Sequence, residues 1–234
     1  MDTLYIVMPA YNEEANIEEV IVKWYPLLEG KSDASRLVIA DSGSTDRTHS
    51  ILEEMTSRYP KLVILSDTGK QHGPKVIALY KYAISQKADY VFQTDSDDQT
   101  DPAEFGGFWE RRRKYSAILG CRKKRGDGLS RALVENVVCR LLHIYFGVRV
   151  PDANAPFRLM RTDVIAKYID RLPEDYALPN IMMTAFFAYF HEKITFREIT
   201  FKPREKGKNS INIPKIVGIG RKALVDFYHF KKNL

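Results

Sequence analysis

The chain has 234 residues, 44% hydrophobic and 28% charged, with a net charge of +6, a composition expected of one soluble globular domain with a sizeable core. Two cysteines, Cys121 and Cys139, in no CxxC pair argue against a disulfide framework or a zinc site. No apolar run approaches the ~18 residues of a membrane span, so a cytoplasmic protein is expected, and its basic balance favours anionic partners such as phosphates, acidic lipid headgroups or nucleic acid.

Leu4 to Met8 reads as a buried strand that runs straight into Pro9-Ala10-Tyr11-Asn12-Glu13-Glu14. Ile17, Val20, Ile21, Trp24, Leu27 and Leu28 recur at helical spacing, which predicts a helix with one face on a sheet. Leu37 to Ala40 is a second strand. It ends at Asp41-Ser42-Gly43-Ser44-Thr45-Asp46, where Gly43 suits a tight turn and Ser44 or Thr45 a helix N-cap. Leu62 to Leu65 is a third strand, and Pro74 sits in the first turn of a helix reaching about Ser85. Tyr90 to Gln93 is a fourth strand, leading into Thr94-Asp95-Ser96-Asp97-Asp98-Gln99. Ala117 to Gly120 follows as a fifth. Residues 128–147 and 178–190 look helical, Thr195 to Phe201 alternates like a strand, and Ile213 to Phe230 mixes apolar and basic residues. Strands alternating with helices predict an α/β fold with a mainly parallel, Rossmann-like sheet and flanking helices. Ligands of such sheets bind beyond the carboxyl ends of the strands, where Glu13, Asp41 and the Asp95–Gln99 segment all fall.

Asp95 and Asp97 carry the most specific chemistry. Two carboxylates two residues apart at a strand end can address one hard cation, Mn2+ or Mg2+, whose remaining positions are filled by water and phosphate oxygens. Asp95, Asp97, Asp98 and Asp101 crowd together in a basic chain, and acids this close repel unless a cation joins them. The competing reading is a solvated acidic turn. Asp41 could accept from a nucleobase N–H, Tyr11 could stack on a base or sugar ring, and Glu13 could bond ribose. Against these stand a capped helix start and an ordinary strand-to-helix loop.

Together these segments resemble the nucleotide-sugar transferases of glycosyltransferase family 2, which have the GT-A fold. Gly69-Lys70-Gln71-His72-Gly73-Pro74 is similar to that family's glycine-containing loop. Asp152-Ala153-Asn154-Ala155-Pro156-Phe157-Arg158 and the stretch from Phe201 to Ser210 resemble segments of the dolichol/polyprenyl-phosphate mannose synthase branch. In that branch a lysine follows the late serine; here Ile211 does. The resemblance implies one GT-A domain over 1–234, with 1–120 binding the nucleotide-sugar and 121–234 the acceptor. It implies that Pro9, Tyr11, Glu13, Asp41, Gly73, Asp95, Ser96 and Asp97 hold a UDP- or GDP-linked donor, and that Asp95, Asp97 and Gln99 hold the metal. Arg122 and Arg158 would face phosphate at the reacting centre. Arg131, Arg204 and Lys206 would contact phosphate or acceptor, arginine's planar fork being suited to phosphate. The bland alternative for each arginine is a surface salt bridge.

Members of this family invert the sugar's anomeric centre by direct displacement. A hydroxyl acceptor needs a base, for which Asp175 in Leu172-Pro173-Glu174-Asp175 is the candidate, the alternative being a helix start with acids at its positive end. A lipid-phosphate acceptor is already anionic and needs none. The expected setting is cell-envelope polysaccharide or glycolipid synthesis. The C-terminal stretch is expected to pack as a helix on the core, with peripheral contact at the inner face of the membrane as the second reading. A dehydrogenase is excluded because Pro9 to Glu14 lacks glycine. A non-catalytic nucleotide- or nucleic-acid-binding domain would explain the charge but not the acids, so no nucleic acid is expected as partner.

Overall fold

The computed structural model describes residues 1–122, 129–204 and 213–232. Three near-continuous apolar runs form β1 (Leu4–Ala10), β2 (Arg36–Asp41) and β3 (Leu62–Leu65), which pair in parallel in the order β3-β2-β1. Such runs are what strands covered on both faces require. Between them lie α1 (Ile17–Trp24) and α2 (Thr48–Thr56). The chain then reverses direction across the sheet. α3 (His72–Ser85) carries it past β1 to β4 (Tyr90–Thr94), which pairs in parallel with β1 on its other side.

The remaining elements are α4 (Phe105–Trp109), β5 (Ala117–Cys121), α5 (Leu129–Phe146), β6 (Phe157–Arg161), α6 (Thr162–Ala166), α7 (Pro179–Tyr189), β7 (Ile194–Glu198) and α8 (Ile213–Lys232). The seven-stranded sheet has the order β3-β2-β1-β4-β6-β5-β7. β6 runs antiparallel to both β4 and β5, while β5 and β7 are parallel. The sheet is thus mostly parallel, with one reversed strand joining its two halves.

Both sheet faces are covered. On one, Val76, Leu79 and Tyr80 of α3 join Phe186 of α7 and Phe227 of α8. On the other, Val20 and Trp24 of α1 join Leu52 of α2 and Phe105 of α4. Trp24 stacks on Phe92 with ring centroids 5.5 Å apart, and Phe157 meets Phe92 edge-on at 4.7 Å. Truncating a fully buried tryptophan such as Trp24 costs about 3–5 kcal/mol.

Two local expectations change. The first helix does not run to Leu28. Pro26 lacks the N–H that would continue the ladder, and residues Tyr25–Leu28 form a 3-10 turn instead. The cap of α2 is neither Ser44 nor Thr45. Asp46 accepts from Thr48 N at 3.0 Å, and the Ser44 hydroxyl turns to Asp41.

Candidate active site

The strand order β2-β1-β4 places three carboxyl ends side by side. The crevice lies where the connections leave β1 in opposite directions, the usual ligand position of open α/β sheets. Asp41 ends β2, Glu13 follows β1, and Asp95 and Asp97 follow β4. Side chains clip the three loops together. Ser96 Oγ donates to Pro9 O at 2.9 Å, Asn12 N donates to Ser44 Oγ at 3.0 Å, and Glu13 N donates to Thr48 Oγ1 at 2.8 Å. Ser96 is buried, so its expected donor role becomes that of a clip between β1 and β4. Asn12 and Asp98 take φ values of 55° and 59°, sharp reversals that turn each loop back over its strand.

One side of the crevice contains Tyr11, Asp41 and a residue that the motifs did not single out, Lys75. Tyr11 is half-exposed, with the Lys75 ammonium 5.2 Å from its ring centroid. Asp41 is buried, accepts from Ser44 Oγ, and lies 3.1 Å from His49 Nδ1. Lys75 is also buried and donates to Ala10 O. Burial pushes its ammonium down to about 8, against the opposing pull of Asp41. A buried ammonium with so little compensation is costly unless a ligand acceptor completes its shell. Its only sequence signal is a lysine directly after Gly73-Pro74, in the first turn of α3.

The acidic side holds Glu13, Asp95 and Asp97. Glu13 Oε2 accepts from Asn16 Nδ2 at 2.8 Å and Arg204 Nη2 at 2.6 Å. Desolvation holds the Glu13 carboxyl above its usual range although Asn16 and Arg204 oppose it. Arg204 Nη1 also approaches Asp97 Oδ2 at 3.9 Å. Asp95 Oδ1 lies 3.2 Å from His72 Nε2. Burial and the charge of Asp95 push Asp97 up to about 7, against the Gln99 N–H and Arg204. A carboxyl so perturbed in this crevice marks a charge set short of positive charge. Hard oxygen donors with that deficit fit a divalent cation. Among the described residues no group of three or more His, Cys, Asp or Glu side chains is arranged to hold a metal, so phosphate oxygens and water would have to complete its shell. The four clustered acids divide. Asp98 pairs with Lys23 at 2.7 Å, and Asp101 caps the turn Pro102–Glu104, so neither belongs to the crevice.

Gln99 departs from its expected role as metal ligand. It is buried, and its Nε2 donates to Lys202 O at 2.7 Å while Lys202 N donates to Gln99 O at 2.8 Å. With the Thr100–Phe201 bridge, this clip delivers Arg204 to the acids. Gly73 also departs from direct donor contact. A Cβ there would meet the Tyr176 carbonyl and lie 2.8 Å from Ala177 Cα, so glycine lets the 176–177 segment cross the start of α3.

Arg122 and Arg158 do not face an open phosphate site. Arg122 Nε and Nη2 donate to Asp152 at 2.8 and 2.9 Å, and Nη2 reaches Glu135 at 3.3 Å. That pairing fastens the end of β5 to α5 and the 152–154 loop. Arg158 is 1% exposed and donates to Ala153 O and Thr184 Oγ1, beneath the crevice rather than in it. Its cross-strand neighbour is Gln93, whose Oε1 accepts from Tyr80 OH at 3.2 Å. Asp175 is exposed, and its carboxylate makes no hydrogen bond among the described residues. Arg131 lies on α5 with its side chain outside the described part, and Lys206 lies outside the described residues.

The protein-family model "Glycosyl transferase family 2" matches residues 5–169. Undecaprenyl-phosphate 4-deoxy-4-formamido-L-arabinose transferase of Pseudomonas paraeruginosa is 25% identical over 166 residues, 70% of this chain and 49% of that protein. The enzyme of the same name from Pectobacterium carotovorum is 22% identical over 92% of this chain and 64% of its own length. The chain therefore spans about half to two thirds of these curated relatives. Glucosyl-3-phosphoglycerate synthase from Mycobacterium tuberculosis, solved with Mn2+, UDP-glucose and phosphoglyceric acid, superposes with a TM-score of 0.70. It is 19% identical over 100% of this chain and 80% of that one. This likeness carries the fold, which is that of the GT-A glycosyltransferases. Matched to the family model over more than half its length, the chain belongs to glycosyl transferase family 2.

Proposed function

We propose that this chain is the catalytic domain of an inverting, metal-dependent glycosyltransferase that moves a sugar from a UDP- or GDP-linked donor to a polyprenyl phosphate. The observation that carries the reading is the convergence of Asp41, Glu13, Asp95 and Asp97 on the ends of three adjacent strands, with Asp97 pushed up to about 7. Bound Mn2+ or Mg2+, held by Asp95 and Asp97, would supply charge neutralisation of the leaving diphosphate. Tyr11 offers a stacking face to the base. Asp41 accepts from a base N–H, and Lys75 donates to a base or ribose oxygen from below. Both hydrogen bonds of the Glu13 carboxylate among the described residues end on Oε2, leaving Oε1 for ribose hydroxyls. Arg204 releases its carboxylates and grips phosphate with its fork once donor and metal supply the missing charges.

The reacting centre then lies between Asp95 and the 176–177 segment that covers the start of α3. The acceptor oxygen attacks the anomeric carbon as the bond to the diphosphate breaks. A phosphate acceptor arrives ionised and requires no proton acceptor, which agrees with Asp175 standing exposed, its carboxylate without a hydrogen bond among the described residues. Residues 1–120 form the donor half and 121–234 the acceptor half. The undecaprenyl-phosphate acceptors named for the relatives support the same acceptor class, with the protein at the inner face of a membrane. No helix among the described residues is long and apolar enough to cross one.

A thermal-shift panel of UDP-, GDP- and dTDP-sugars, each with and without Mn2+, tests the donor assignment. A cognate donor at about a hundred times its Kd stabilises by about 2.7 kcal/mol. Absence of stabilisation by every donor in the presence of Mn2+ removes the proposal's support.

A further inference from the structure

α5 and α8 bury their inner sides in the same core. Leu142 and Phe146 of α5 pack with Ala223 and Phe227 of α8, and the Phe146 and Phe227 rings are 5.9 Å apart. Their outer sides therefore look away from that core together. On α5, Leu133, Val137 and Ile144 are 65%, 46% and 73% exposed. Their spacing places them on one stripe of the helix, together with exposed Arg140. On α8, Val225 and Tyr228 are 56% and 58% exposed, beside Leu224. Lone exposed aliphatics are ordinary, but a stripe of them on each of two packed helices is not.

The charges on these sides have one sign. Among the described residues Arg140 and Lys232 are exposed, as is Lys231, whose ammonium lies 4.7 Å from the Tyr189 ring centroid. The acids of the described parts face elsewhere: Glu135 is buried against Arg122, and half-buried Asp226 lies near Tyr176, whose hydroxyl it helps to push up. Aliphatic side chains fringed by cations, with tyrosine at the border and no exposed acid among the described residues of either helix, match a bilayer interface carrying anionic headgroups. A protein partner of ordinary mixed charge would leave these cations unanswered. α5 is also tied to the acceptor half of the site, since Glu135 accepts from Ala153 N at 2.8 Å and from Arg122.

We infer that the outer sides of α5 and α8 dock the protein onto an anionic membrane surface, seating the acceptor half of the site beside the lipid. The docking deepens the lipid-phosphate reading and rests on it for its purpose, but it is measurable without any donor. The apolar stripe inserts at the level of the headgroups, and the cations add a salt-sensitive attraction of about 1 kcal/mol each.

The test is flotation of the purified full chain with vesicles of phosphatidylcholine alone or with about a third phosphatidylglycerol. The wild type is expected to float with the anionic vesicles and much less with the neutral ones, and to lose part of the binding at about 0.5 M salt. Leu133→Glu/Ile144→Glu should reduce anionic-vesicle binding at least tenfold, and Arg140→Glu/Lys231→Glu/Lys232→Glu should remove its preference for phosphatidylglycerol. Both variants should keep the wild-type melting temperature and donor-induced stabilisation, so that loss of docking is separated from loss of the transferase site. No flotation of the wild type, or equal flotation of the variants, overturns the inference. A concentration-dependent dimer in light scattering that the Leu133→Glu/Ile144→Glu variant abolishes would assign the surface to a second copy and overturn it as well.

Discussion

Asp97→Asn is the most informative single change, because it should strengthen the metal-free fold while destroying its response to metal. The Asp97 carboxyl is pushed from the ordinary 3.8 up to about 7 by burial and by Asp95. An acid whose folded-state pKa is raised costs nothing below its unfolded pKa. The cost grows as the pH rises from about 4 and is complete above about 7. At about 1.4 kcal/mol per tenfold, the gap sets an upper bound of about 4 kcal/mol. Solvent at the crevice mouth and adjustment of Arg204 bring the expectation nearer 2 kcal/mol, or roughly 4–8 °C in melting temperature for a chain of this size. Melting curves in chelator from pH 4 to 8 should show the variant level with the wild type at the acid end and progressively more stable above. Mn2+ should raise the wild-type melting temperature at pH 8 and leave the variant unmoved. A wild type whose chelated stability does not decline between pH 5 and 8, or a variant still stabilised by Mn2+, would refute the account of these carboxylates.

Lys75→Met keeps the volume beneath Tyr11 but removes the ammonium, and should weaken donor binding at least tenfold with little change in melting temperature, read by calorimetric titration. Gly73→Ala forces apart α3 and the 176–177 segment, and should lower stability by about 1–3 kcal/mol in urea unfolding. Arg122→Met leaves Asp152 and Glu135 buried without their shared cation and should cost about 3–5 kcal/mol in the same assay. Asp175→Asn should leave transfer to a soluble polyprenyl-phosphate analogue within about twofold of wild type, whereas a loss of a hundredfold or more would make Asp175 a base and point to a hydroxyl acceptor.

The parts of this site visible in the sequence are those encoded locally. An apolar run followed at once by acids identifies a strand end, and Glu13, Asp41, Asp95 and Asp97 all lie where that pattern predicts. β6 escaped because Phe157–Arg161 carries two arginines in five residues, one of them sunk in the core opposite Gln93. The arginine roles were illegible for a different reason. Arg122 meets Asp152 thirty positions away, and Arg204 meets Glu13 across 191. Nothing local distinguishes a guanidinium committed to a buried carboxylate from one presented to phosphate. The fates of Asp98 and Asp101 were equally hidden, since the positive φ at Asp98 turns its carboxylate out to Lys23.

Arg204 accounts for how such a site survives in the ligand-free fold. Glu13, Asp95 and Asp97 occupy one largely desolvated crevice, and like charges there repel strongly. One guanidinium divided between Glu13 at 2.6 Å and Asp97 at 3.9 Å offsets only part of the cost, since burial first, with the charge of Asp95 added to it, still holds both carboxyls above their usual range. Full relief would require a second cation, and Arg204 could then turn to the anion that arrives with it. The clip between Gln99 and Lys202 keeps Arg204 within reach of both positions. Binding of metal and donor is therefore expected to be cooperative, each removing part of the other's electrostatic cost. Mn2+ affinity measured with and without the nucleoside diphosphate reports this coupling. In Arg204→Met, Mn2+ alone should bind more tightly than in the wild type, because the resident cation no longer competes, while the gain on adding the diphosphate shrinks.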